Sequence, residues 1–154
     1  MRSRTPTSAA RRLAAFALVS LVFGAGSVGC AASEDDATAE QARDSLYAIL
    51  DATQRMLGGE FDNQDDPTAR GCALALWQEG DHFPALRLGA APTNADEVVA
   101  TVSDYWDELG YELSTASLGE VLEVQGEGDL GEILILRVSD DAITLQGESE
   151  CRPA

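Results

Sequence analysis

At Gly110-Tyr111 the apolar pattern of this chain changes its period from 3.6 to 2, and that switch limits the available folds more than any other feature. Before it, Val98, Val99, Val102, Tyr105, Trp106 and Leu109 recur on one face of a helix. After it, Tyr111, Leu113 and Thr115 alternate with Glu112 and Ser114, as in a strand with one face covered. A helix with a broad apolar face and strands with one apolar face each must bury those faces, and stacking one on the other does so.

The remaining segments fit the same plan. Thr38-Ala39-Glu40-Gln41 has the form of a capping box, and Leu46, Ile49, Leu50, Thr53 and Leu57 follow at helical spacing until Gly58-Gly59. Asn94 caps the second helix, Glu97 stands where a capping box needs it, and Gly110 supplies the stop. Leu122 and Val124 continue the alternation, and Gly126-Glu127-Gly128-Asp129 reads as the next turn. Ile133 to Leu136 is apolar on both faces, which predicts a central strand. Ser139-Asp140-Asp141 then turns into Ile143 to Gln146, whose Ile143 and Leu145 face the core. Upstream, Glu60 to Pro67 reads as a polar loop. Gly71 to Trp77 reads as a short strand, with Ala85 to Leu88 as its hairpin partner across a turn at Gln78-Glu79-Gly80-Asp81. The expected fold class is α+β, with two helices packed on a mainly antiparallel β-sheet.

The N-terminal 30 residues follow a different logic. Arg2, Arg4, Arg11 and Arg12 precede an apolar run from Leu13 to Phe23, which is shorter than the ~20 residues a transmembrane helix requires. It reads as an export signal. The run leads into Gly26-Ser27-Val28-Gly29-Cys30, which resembles the lipobox of bacterial lipoproteins, with Ser27 where the family pattern usually has Leu. The resemblance implies a signal peptide over residues 1–29 and a lipidated Cys30 as the mature N-terminus. An acidic tether over 30–37 and a single domain over 38–154 follow, held on the extracytoplasmic face of the cell membrane. Ordinary secretory cleavage around Ala25 to Ser27, giving a soluble protein, is the alternative. Arg11-Arg12 leaves the export route open between the general secretory and twin-arginine pathways.

Cysteine count bears on the same question. The chain has three, and an odd number in an oxidising compartment leaves one thiol free or cross-linked to a second chain. With a lipid on Cys30, Cys72 and Cys151 remain as one intramolecular pair. Such a disulfide closes a loop of about 80 residues, which the chain-entropy model values at roughly 4 to 5 kcal/mol. The layout also resembles small uncharacterised actinobacterial lipoproteins. Cys30, Cys72, Trp106, Gly110-Tyr111 and Gly147-Glu148-Ser149-Glu150-Cys151 carry that likeness, which implies no established activity.

Charge narrows the partners. From residue 30 onward the chain keeps six basic residues, Arg43, Arg55, Arg70, Arg87, Arg137 and Arg152, against all 27 acids; six minus 27 leaves −21, and there is no Lys. Nucleic acid is disfavoured, because phosphate contacts need clustered Lys and Arg. His82 is the only histidine, which excludes a His-based metal cluster, and no nucleophile motif accompanies it. Asp62-Asn63-Gln64-Asp65-Asp66 departs from an EF-hand loop at its third position and at the glycine. Trp106 reads as core, whereas Trp77, with Phe83 and Tyr105, could line a pocket. No catalytic residue, metal site or cofactor is expected. The expected function is a non-enzymatic, lipid-anchored binding or interaction module of the cell envelope. The alternative is an envelope carrier holding a lipid or other small apolar ligand between helices and sheet.

Overall fold

Thr38 opens the first helix as its sequence predicts. Its hydroxyl accepts the Gln41 amide at 3.3 Å while the Gln41 side chain accepts the Thr38 amide at 2.8 Å. A computed structural model describes residues 37–153; the leader, Cys30 and the tether as far as residue 36 lie outside the described residues. Helix α1 (Ala39–Leu57) buries Ala39, Ala42, Leu46, Leu50 and Thr53 along one stripe and ends at Gly58, φ +69°. Helix α2 (Ala95–Glu108) starts where the Asn94 side chain accepts the Glu97 amide. It ends at Gly110, whose φ of +93° lets the Tyr111 amide reach back to the Trp106 carbonyl.

Both helices cover one face of a six-stranded antiparallel sheet. Its strands are β1 (Phe61–Asn63), β4 (Pro84–Ala90), β5 (Glu112–Leu118), β6 (Val121–Glu127), β7 (Ile133–Val138) and β8 (Ala142–Glu148), in the order β1-β4-β8-β7-β6-β5. Strand β7 lies in the middle, as its apolar run predicts. Leu134, Leu136 and Val138 of β7, Leu145 of β8 and Val124 of β6 point to the helices and meet Leu46, Leu50, Val102 and Trp106. Burying each such side chain contributes about 1.5–3 kcal/mol. Trp106 lies at the centre, and its indole N–H donates to the Thr53 hydroxyl at 3.2 Å. That bond explains why the apolar stripe of α1 contains a buried Thr.

A second sheet of three short strands, β2 (Arg70–Ala73), β3 (Glu79–His82) and β9 (Arg152–Pro153), stands beside the first in the order β2-β3-β9. The Cys72–Cys151 disulfide fastens it, with the two Cα atoms 6.1 Å apart. Here the structure corrects the expected hairpin. The strand that pairs with β2 is Glu79–His82, the segment whose composition suggests a turn. Ala85–Leu88 belongs instead to β4, between β1 and β8 of the large sheet. Gly80 is the reason. A Cβ there would stand 2.6 Å from the Arg152 carbonyl oxygen and 3.0 Å from the Cys151 sulfur, so the middle strand needs a glycine.

Two smaller differences have similar causes. Gly126 lies inside β6 because Trp106, Tyr111 and Leu113 crowd the position of a side chain, so the turn begins after Glu127. The expected polar loop contributes Phe61–Asn63 as an edge strand, with the Phe61 ring over Gly89.

Candidate functional site

Strand alternation leaves the other face of the large sheet without a helix. Because Leu134 and Leu136 point inward, Ile133 and Ile135 point outward. The strand order sets them across β8 from Pro84 and Leu86: Leu86 pairs with Gln146, which pairs with Ile135, and Pro84 pairs with Glu148, which pairs with Ile133. The result is a trough of about 310 Å³, with Gln146, Gly147 and Glu148 as its floor and the two apolar pairs as its walls. Its volume falls at the small end of ligand pockets, and apolar walls with a few polar floor groups are the usual lining. Arg137 borders it, donating to Glu123 at 2.6 Å and to Gln146 at 2.8 Å.

His82 stands near the same end, its Nδ1 3.8 Å from the Glu148 carboxylate. Trp77 does not join it. Trp77 and Leu76 form the tip of the β2–β3 hairpin and are 95% and 91% exposed. Both have positive φ, +61° and +59°. They are the central residues of the Ala75–Gln78 turn, and positive φ at both is the type I′ geometry that favours Asn-Gly. For residues with a Cβ that conformation costs about 1–2 kcal/mol each. Phe83 is buried, with the Arg43 guanidinium 5.2 Å from its ring centre, and Tyr105 packs at the edge of the core.

The acidic loop has a structural task that its sequence does not announce. Arg87 is 1% exposed on the helix side of β4 and donates to Asp65 at 2.8 and 3.2 Å, to Gln54 at 2.6 Å and to Asp51, with the Tyr47 ring 5.8 Å away. A buried guanidinium needs such partners. The signal was present, since Arg87 shares the inward parity of Ala85 in β4. At the other end of the sheet the Tyr111 hydroxyl donates to Glu132. Burial pushes both groups above their ordinary values, and the Glu150 carboxylate pushes in the same direction.

Among the described residues no three His, Cys, Asp or Glu side chains are grouped to hold a metal ion, and no helix is long and apolar enough to cross a membrane. The sequence-derived pair Cys72 and Cys151 is joined in the structure; Cys30 is outside the described residues.

Fold and surface together define a one-sided α+β sandwich with an open, partly apolar sheet face. No family model and no curated protein matches the chain. Among solved structures it is similar to a DUF4853 family protein from Actinomyces odontolyticus, with a TM-score of 0.61, 13% identity, and coverage of 80% of this chain and 70% of that one. The likeness is one of fold, to a protein of an uncharacterised actinobacterial family.

Proposed function

We propose that this chain is a lipid-anchored lipoprotein on the extracytoplasmic face of the cell membrane, acting as a non-enzymatic binding module for an envelope protein or small apolar ligand. The observation that carries the binding reading is the trough between Pro84-Leu86 and Ile133-Ile135 on the uncovered sheet face. The layer between helices and sheet is filled by Leu46, Leu50, Val102 and Trp106, so an apolar ligand has its room on the outer face. The anchor rests on the leader and on the lipobox resemblance at Cys30.

Two measurements test the two halves. Intact mass of the protein from its native membrane fraction should give a chain beginning at Cys30, heavier by a diacylglyceryl group or more; an unmodified soluble chain would remove the anchor. A fluorescent fatty-acid probe should bind the wild type and lose affinity in Ile135→Glu, which changes only an outward side chain. Equal affinity in both, or no binding by the wild type, would remove the apolar-ligand reading.

A further inference from the structure

The Leu76-Trp77 hairpin tip is the part of the domain that the trough does not explain. We propose that it dips into the headgroup region of the bilayer that holds the lipid on Cys30, fixing which end of the domain faces the membrane. This rests on the anchoring proposed above.

Three observations converge on that occupant. The first is chemical: from Gly71 to Gln78 the hairpin carries no charge, in a chain that has 27 acids, and it projects one aliphatic and one indole side chain into solvent. An indole with an apolar body and one N–H suits the boundary between headgroups and acyl chains. A surface rich in carboxylates is repelled by anionic headgroups, so the uncharged tip is the part that can approach them.

The second is the hairpin's construction. Leu76 and Trp77 occupy the two positive-φ positions of the turn, which Asn-Gly fills without strain. The backbone holds both side chains outward, and the Cys72–Cys151 bond secures the hairpin at its base. Strain of this kind, maintained by a cross-link beside it, is characteristic of a working surface.

The third is the position of the tether. Helix α1 runs alongside β4: Arg43 lies over Phe83, Leu46 over Gly147 opposite Ala85, and Asp51 at Arg87. Its first turn therefore lies toward β3, which it contacts, and β3 begins two residues after Trp77. Cys30 precedes the Thr38 cap by eight residues, which span at most about 28 Å. A lipid on Cys30 thus keeps the start of α1, and with it the β3 side of the domain, within about 28 Å of the bilayer.

Aqueous iodide provides the test, because it reaches the exposed Trp77 and not the buried Trp106. The exported protein is purified and its mass read first. If Cys30 carries lipid, the protein is placed directly in phosphatidylcholine vesicles. If Cys30 is free, it is the one thiol left beside the Cys72–Cys151 disulfide and is coupled to a maleimide-headgroup lipid in the same vesicles. Failure of natural lipidation is thereby read separately from failure of the tip. On vesicles the iodide-quenchable tryptophan emission should disappear, brominated lipid should quench the same component, and Trp77→Phe should abolish both signals. Iodide quenching that is unchanged between solution and vesicles would overturn the proposal and leave the tip to a protein partner. Leu76→Asn with Trp77→Gly should keep the fold, judged by far-ultraviolet circular dichroism. Loss of brominated-lipid quenching in that folded variant would support insertion by the tip. Persistence of that quenching, from Trp106, would count against it.

Discussion

The two sheets of this molecule are held by different physics. The six-stranded sheet has Leu46, Leu50, Val102 and Trp106 seated on it, and its stability comes from area removed from water. The three-stranded sheet buries little besides Gly80 and Arg152, and a covalent bond does the fastening. A sheet of three short strands with no apolar face of its own is marginal in water. The contrast teaches where each can change: the large sheet tolerates no cavity, whereas the small sheet tolerates strained and exposed residues so long as its cross-link is intact.

The largest effect should come from cutting that cross-link. Cys72→Ser with Cys151→Ser should cost roughly 4 to 5 kcal/mol in a urea melt. Hydrogen exchange should show the amides of β2, β3 and β9 losing protection before those of β6 and β7. A melt unchanged from wild type would mean that packing holds the small sheet after all. Leu46→Ala should follow closely, at about 2–5 kcal/mol, since Leu46 is fully buried and its Cδ1 fills the space above Gly147. Here protection should fall across the large sheet. Loss confined to α1 would show that the helix and sheet do not unfold as a unit.

How much of this contrast is legible in the sequence depends on distance along the chain. Both helices are legible, because caps and apolar faces are written within a few residues of one another, as at Thr38 and Gln41. The α+β class, the central β7 and the Cys72–Cys151 pair follow from periodicity and from counting. Strand β3 is not legible, because the reason for Gly80 is Cys151 and Arg152, 71 and 72 residues further on. Arg87 is hidden by the same distance, since Asp51 and Asp65 reach it from α1 and from the loop before β2. The trough depends on the order β4-β8-β7, which brings Leu86 and Ile135 to opposite sides of Gln146, and no local pattern encodes strand order. Trp77 is misleading because Leu-Trp is not a sequence that signals a type I′ turn.

Relieving the strained tip should have an effect of opposite sign. Leu76→Asn with Trp77→Gly should stabilise the domain by about 1–3 kcal/mol, because it relieves positive-φ strain at two exposed positions and removes no buried contact. The midpoint of a thermal melt should rise. A fall would show that the tip packs on something within the domain, and the distinction between a packed sheet and a stapled one would weaken.

The smallest effect concerns pH and belongs mainly to the large sheet. Burial is the main cause that holds the Glu132 carboxyl above its ordinary value of 4.5, the Glu150 carboxylate adds to it, and the hydrogen bond from Tyr111 opposes it. The native state therefore keeps a proton on Glu132 that the unfolded chain has already released. Stability from this group is complete below the unfolded value and declines as pH rises through the native one. Glu132→Gln keeps an acceptor for the Tyr111 hydroxyl and removes the titration. Urea melts between about pH 4 and about pH 7 should show a gentler fall in stability for the variant than for the wild type. The Cys72→Ser, Cys151→Ser protein should retain most of the wild-type fall, because burial is the main cause, and should lose only the part owed to Glu150, which stands beside Cys151 and pairs with Arg152 of β9. If instead that cross-link variant lost the pH dependence, Glu132 would be buried only when the small sheet is in place, and the two regions would share one cooperative unit.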